Sequence, residues 1–240
     1  MHRVSTERDI RAAVPGWTAP PLPDFDHLSG RWARVGRLDA DRHGGDLFRA
    51  NSASDAIWEY LPYGPFATEA AYMDWLRGVA TAEDPRFHAI QDLETGRFSG
   101  VASYLRIKPE AGSIEVGHIN LAPALQRTRA ATEAMYLMMR WAFGAGYRRY
   151  EWKCNAANLG SRRAAQRLGL SYEGIFRQAT VIKGQNRDTA WFAAIDGEWP
   201  ALDQAFRRWL DPGNFDADGR QVGRLADLTA PVLAQRDPAL

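Results

Sequence analysis

The 240-residue chain predicts a mixed α+β fold, with a mostly antiparallel central sheet flanked by helices. Three observations carry that reading. Two apolar runs, RFHAIQD and FSGVASYLRI, flank the glycine-containing turn LETGR and read as a hairpin. A third run, IEVGHINLA, passes into a long amphipathic helix and then into YRRYEWKCN, which makes one βαβ crossover. There is no repeating βα period, no GxGxxG and no Walker pattern, which argues against a βα barrel and against a Rossmann-type nucleotide site.

The elements follow in order. Residues 1–30 are rich in proline and polar groups (VPGWTAPPLPDFDHLSG) and read as an extended arm. RWARVGRLDA alternates as a first strand, and GGDLFRANSASDAIWEYL and TEAAYMDWLRGVATA read as helices. In the second helix Ala71, Trp75 and Val79 share one face, and Thr68 is placed to cap it. The hairpin comes next, then the turn KPEAGS and the strand IEVGHINLA. The helix from Thr128 to Gly144 has Met135, Met138, Met139, Trp141 and Ala142 as its apolar face. YRRYEWKCN is followed by a short helix, NLGSRRAAQRLGL, ended by Gly169. EGIFRQATVIKG and DTAWFAAID are strands joined through KGQNRD, and EWPALDQAFRRWL is a last helix stopping at Asp211 and Pro212. The polar tail 212–240 is expected to pack loosely, which leaves 31–211 as the expected domain.

Composition narrows the function classes. With 45% hydrophobic and 25% charged residues the chain fits a globular protein with a sizeable core. A net charge of +1 without a basic block argues against nucleic acid as the main partner. No apolar run approaches the roughly 20 residues of a membrane span. The first residues, MHRVSTERDIRAA, lack the apolar core of a secretory signal. Cys154 is the single cysteine, so no internal disulfide forms, and a cytoplasmic location is expected. His2, His27, His43, His88 and His118 show no metal-ligand spacing, so no metal is expected.

The stretch NLAPALQRTRAATEA has two readings. A helix N-terminus presents unpaired amides and about half a positive charge. Thr128 as cap, small residues at Ala130, Ala131 and Ala134, and positive charge from Arg127 and Arg129 would suit an anion such as a pyrophosphate. An ordinary capped helix with solvated arginines has the same sequence.

Four stretches in this order resemble the GNAT acyltransferases, and among them the ribosomal-protein N-terminal acetyltransferases of the RimJ/RimL type: SIEVGHINLAPALQ, QRTRAATEAMYLMMRWAFGAGYRR, NLGSRRAAQRLGLSYEGIFR and KGQNRDTAWFAAIDGEWP. The resemblance spans residues 30–210. It implies acetyl-CoA, or a related acyl-CoA, as cosubstrate and an amine as acceptor, either a protein N-terminus or a small molecule. The family turn Gln/Arg-x-x-Gly-x-Gly/Ala, whose amides hold the pyrophosphate, maps onto Gln126 to Ala131, with Arg129 in place of the central glycine. The cosubstrate site so implied comprises Asn120, Leu121, Gln126, Arg127, Thr128, Arg129, Ala130, Ala131, Thr132, Asn155, Asn158 and Ser161. Asn158 also reads as a helix cap.

For the chemistry, the family supplies a base from its central strand. Glu115 lies eleven residues before Gln126, the offset at which several members carry that base. An acid between Ile114 and Val116 is costly to bury unless it is used or paired, so a salt bridge to an arginine is the competing reading. Strand alternation puts Glu115, Gly117 and Ile119 on one face, and Val116, His118 and Asn120 on the other. His118 is a second candidate base or a half-buried structural histidine. The family's tyrosine acid is replaced by Ala165, leaving Ser161 or water to protonate the leaving thiolate; Tyr172 reads as packing. Trp58, Tyr60, Tyr63 and Trp152 are expected to line the acceptor pocket, with Glu173 to attract a cationic amine. With no His/Asp arrangement beside Cys154, direct attack in a ternary complex is expected rather than a covalent intermediate. A non-catalytic acyl-CoA-binding module is the alternative. Pairing of the apolar strands near the C-terminus into a homodimer is allowed.

Overall fold

The computed structural model describes residues 13–240; the part of the arm before them lies outside the described residues. Along the chain run β1 (His27–Ser29), β2 (Ala33–Arg37), α1 (Ala40–Asn51), α2 (Glu69–Ala80), β3 (Arg86–Asp92), β4 (Phe98–Lys108), β5 (Ser113–Leu121), α3 (Arg129–Gly144), β6 (Arg149–Asn155), α4 (Leu159–Arg167), β7 (Ser171–Ile182), β8 (Gln185–Ile195), α5 (Trp199–Leu210) and α6 (Leu225–Thr229). The strands form one sheet in the order β1-β2-β3-β4-β5-β6-β8-β7. Among the described residues only β5 and β6, joined by the α3 crossover, run parallel.

Each face of the sheet buries its own apolar set. Ile114, Val116, Tyr150 and Trp152 pack under the Ala130–Ala142 stripe of α3, and Phe206 and Leu225 from α5 and α6 join them. On the opposite face Leu47, Tyr72 and Leu76 of α1 and α2 pack on Phe87, Ala89 and Val101. Those two helices reach chiefly over β3 and β4. The second face of β5, β6 and β8 therefore forms an open floor. Thr68, Thr128 and Asn158 cap their helices through side-chain oxygens, as their spacing predicts. Glu133 ties α3 to the start of β2 by accepting the amides of Arg31, Trp32 and Ala33. Gly30 is required there, since a Cβ would lie 2.2 Å from the Glu133 carboxyl carbon.

Three expectations are corrected. The helix read across 44–61 is broken: α1 ends at Asn51, and a short 3-10 turn spans Asp55–Trp58. Ser54 caps that turn by accepting from the Ala56 amide, a local bond that competes with helix continuation. The β7–β8 hairpin is tighter than KGQNRD suggests. Ile182 pairs with Gln185 around Lys183 and Gly184, both at positive φ, a two-residue turn matched to strand twist.

The tail, read as loosely packed, is anchored. Leu225, Thr229 and Asp237 are buried, and Asp237 receives Arg162 in a two-bond pair at 2.6 and 2.7 Å. Both side chains are nearly sealed from solvent. Breaking such a pair from one side leaves a buried charge alone. Asp237→Ala is therefore expected to cost about 3–5 kcal/mol of stability, read as a lowered denaturation midpoint. A midpoint equal to wild type would show the tail to be dispensable.

Candidate acyl-CoA site

The site begins where the parallel ladder ends. β5 and β6 pair only from Ser113 and Arg149 to Val116 and Trp152. Beyond that point β5 runs on to Leu121 and β6 to Asn155, and the strands part. Their facing amides and carbonyls then lack a ladder partner, an arrangement suited to a slender ligand carrying its own amides. A cleft of about 1760 Å³ passes through this fork.

On the α3 side the cleft is lined by Gln126, Arg127, Thr128, Ser161, Arg163 and Arg167. Arg127 takes φ +64, the left-handed turn that brings Thr128 into its capping position. The Thr128 hydroxyl accepts from Ala131. Among the described residues the amides of Arg127, Arg129 and Ala130 have no partner. A helix N-terminus with open amides and arginines beside it is suited to an anion.

Arg129, at the position where glycine is the family rule, is held by its neighbours. Its guanidinium lies 4.0 Å over the Trp32 ring and 5.0 Å over Phe215, and it pairs with Glu94 at 2.7 Å. It starts α3 in ordinary helical geometry, so no positive φ is demanded there. Arg129→Gln is accordingly expected to lower the melting temperature by the loss of about 0.5–2 kcal/mol of ring and charge contact, while coenzyme A affinity stays near wild type. A large loss of affinity by calorimetry would place the guanidinium on the ligand instead.

On the other face the wall is built from Glu115, His118, Lys153, Trp191 and Arg187. A bulge in β5 makes this possible. Ser103 faces Gly117 while Val101 faces Asn120, and His118 takes φ +50. The extra residue flips the alternation, so His118 joins Glu115's face, contrary to the simple alternation of the sequence. There the imidazole stacks with Tyr63 and packs against Phe87. Its Nδ1 is 3.3 Å from the Tyr63 hydroxyl. Burial first, then Arg106 and Arg187, holds its pKa down at about 4. The ring is neutral at pH 7.

Glu115 is almost sealed, and both its oxygens lie 2.7 Å from Arg106 Nη1. Lys153 Nζ lies 2.8 Å from Glu115 and 2.7 Å from Glu151, over the face of Trp191. Burial pushes the Glu115 carboxyl up, and Lys153 and Arg106 oppose it. Cys154, buried on β6, has its thiol pushed up by burial.

The acetyltransferase (GNAT) domain family matches residues 37–171. Among solved structures, a GCN5-related N-acetyltransferase from Brucella melitensis is 44% identical, covers 90% of this chain and 100% of its own, and superposes with a TM-score of 0.88. The chain belongs to the GNAT acetyltransferase family. A provisionally assigned GNAT acetyltransferase from Chromobacterium violaceum is 40% identical over 79% of this chain and 96% of that one, with a TM-score of 0.75. A provisionally assigned ribosomal-protein-serine acetyltransferase from Vibrio cholerae, 15% identical over 73% of this chain and 99% of that one, shares the fold at a TM-score of 0.62. None of the curated proteins matches the sequence.

The acetyltransferase brings most of the sequence-named residues to the cleft: Glu115, His118, Leu121, Gln126, Arg127, Thr128, Arg129, Ala131, Thr132, Trp152, Asn155, Asn158 and Ser161 line it. Others it does not. Ala130 is wholly buried in the core. Asn120 is sealed beside the fork, with both side-chain polar atoms lacking a partner. Trp58 and Tyr63 pack in the aromatic cluster of the second face, because the 3-10 turn and its loop fold inward; Tyr60 reaches the cleft, as Trp152 does. Glu173 is held by Arg149 in two bonds and is not among the cleft residues. Ala165 is core, and Tyr172 packs on Phe192. Trp152 serves the α4 side, donating its indole N–H to the Ser161 hydroxyl at 3.0 Å. The residues sequence reasoning missed are Arg106, Lys153, Arg187 and Trp191. The lysine inside the buried strand YEWKCN was the available signal, since a charge in such a strand needs a partner or a task.

Proposed function

We propose that this acetyltransferase moves an acetyl group from acetyl-CoA to a primary amine by direct attack within a ternary complex. One observation supports the reading above all: a single cleft joins an anion-binding helix end, on one face of the sheet, to a wall with a neutral histidine on the other, through the β5–β6 fork. The coenzyme supplies an activated acetyl thioester when bound.

The chain's own residues have separate tasks in this scheme. The α3 amides with Arg127, and Arg163 and Arg167 of α4, hold the phosphates. The unpaired edges of β5 and β6 hold the amide-bearing arm in line with the fork. His118 accepts the amine proton, with Tyr63 fixing the ring; when Nδ1 donates to the Tyr63 hydroxyl, Nε2 is the basic nitrogen. Glu115, gripped by two cations, orients Lys153 and Arg106 and keeps the wall polar. Ser161, whose oxygen accepts from Trp152 and which also hydrogen-bonds Cys154, stands on the thiolate side and would have to release that bond to donate its proton. Cys154 has no role as nucleophile: a buried thiol with a raised pKa yields little thiolate. The RimJ/RimL-type assignment belongs to this proposal and rests on the sequence motifs.

The test is a calorimetric titration with acetyl-CoA followed by thiol release in a panel of primary amines. Binding with amine-dependent release supports the reading. Binding with no transfer to any amine would favour a non-catalytic acyl-CoA module, a reading that Ala165 in place of a tyrosine keeps alive.

A further inference from the structure

On the open floor of the sheet one cation has nothing to hold. Arg187 starts the inner part of β8, and positions 187, 189 and 191 share a face with Lys153 and Glu115 through the β6–β8 pairing. The other cations of this wall, exposed Arg106 and nearly sealed Lys153, are satisfied. Arg106 lies against both oxygens of Glu115, and Lys153 bridges Glu115 and Glu151. Glu151 is also held by Arg149 at 2.6 Å. Among the described residues the Arg187 guanidinium has no hydrogen-bond acceptor and no ion pair, and its Nε is buried without a partner. Among the described residues the other unpaired cations of the lining, Lys108, Arg127 and Arg163, stand exposed.

A half-buried guanidinium without an anion is costly to keep, and it is paid back only when a ligand supplies one. We infer that the acceptor is a small amine bearing its own carboxylate, which Arg187 grips, with an apolar side chain lying against Phe176 and the Ile57–Pro62 turn. This deepens the acetyltransferase reading and rests on it. The fork of an arginine matches a carboxylate with two parallel bonds, so geometry as well as charge favours this partner. The coenzyme's phosphates are not the anion in question, because the arginines at the ends of α3 and α4 stand on the opposite face. Phe176 is more than half exposed beside Trp191, at ring centroids 4.5 Å apart, and Ile57, Leu61 and Pro62 face the same space. These surfaces suit a bulky aliphatic or aromatic side chain. Arg187 lines the same cleft as His118 and Glu115 and acts on both electrostatically. An α-amino acid with an apolar side chain is an amine of this kind.

The experiment compares matched acceptors with acetyl-CoA: L-phenylalanine against 2-phenylethylamine, and L-leucine against 3-methylbutylamine. The amide and the aminophosphonate of each amino acid and a short Phe-led peptide complete the set. The carboxylate member of each pair is expected to show kcat/KM about 10- to 100-fold higher, the range of a charged hydrogen bond. Arg187→Met should close that gap, chiefly through KM, and Arg187→Lys should reopen part of it; a melting curve checks that each variant is folded. The inference is overturned if the carboxylate gives no advantage in the wild type, if the gap survives in Arg187→Met, or if the phosphonate or the peptide is preferred. Transfer to amines without any carboxylate preference sinks this inference alone. Absence of transfer to every amine sinks the acetyltransferase reading, and this one with it.

Discussion

Replacing His118 by Asn is expected to lower kcat for acetyl transfer by about a hundredfold or more, the usual scale of a lost acid–base group, with acetyl-CoA affinity unchanged. Asn is the informative substitution. His118 sits at φ +50, a conformation that Asn tolerates better than most residues, so the bulge persists and the loss reports the missing base. Tyr63→Phe should show a smaller drop, since it removes one bond that holds the ring and leaves the nitrogen that takes the proton. The ring's low pKa also has a sign for stability. Its value of about 4 in the fold lies below the ordinary 6.5, so between those values the unfolded chain binds a proton that the native chain refuses. Stability is then complete above pH 6.5 and falls as the pH is lowered toward 4. His88, held at about 3 by burial with Arg37 and Arg86 adding to it, acts in the same direction. Melting curves across pH 4–7 should show this loss in the wild type and less of it in His118→Asn.

Replacing Glu115 is expected to cost stability as well as rate. Its carboxylate is the shared partner of Arg106 and Lys153, and Lys153 is itself nearly sealed. Glu115→Ala leaves Lys153 with Glu151 alone and should destabilise the fold by about 3–5 kcal/mol. Glu115→Gln keeps the shape and removes the charge; transfer should fall about tenfold or more. The double variant Glu115→Gln/Lys153→Met separates the two roles of the carboxylate. If Glu115 acts by holding Lys153, the second change restores stability that the first removed, and the two effects are not additive. If Glu115 is itself the base, Glu115→Gln melts near wild type while activity is lost, and the second change recovers nothing.

Much of this architecture could be read from the chain because its signals were local. The caps at Thr68, Thr128 and Asn158, the hairpin around LETGR and the α3 crossover each depend on neighbours within a few positions. The lining of the candidate cleft was legible where a motif carried it, as at Gln126 and Arg127 and at Asn158 and Ser161. It was illegible where long-range geometry decided. The β5 bulge moves His118 to Glu115's face, and nothing in EVGHIN announces it. Lys153, Trp191 and Arg187 meet only because β8 lies beside β6, a sheet order that sequence spacing does not give. Arg129 reads as a phosphate ligand in the sequence, and its packing against Trp32 and Phe215, which lie far from it in sequence, could not be foreseen there. The tail misled by composition, because Leu225, Thr229 and Asp237 are few among polar residues yet carry its anchorage.

The central claim is that acetyl passes from coenzyme A straight to an amine held on the Glu115 face. Mass spectrometry of the intact protein after incubation with acetyl-CoA, with and without an amine acceptor, tests it most directly. The account predicts an unmodified chain in both cases, with the acetyl group found only on the amine and free coenzyme A formed in step with it. An acetylated chain at Cys154 that discharges when amine is added, or no acetyl on any amine while acetyl-CoA remains bound, would contradict it.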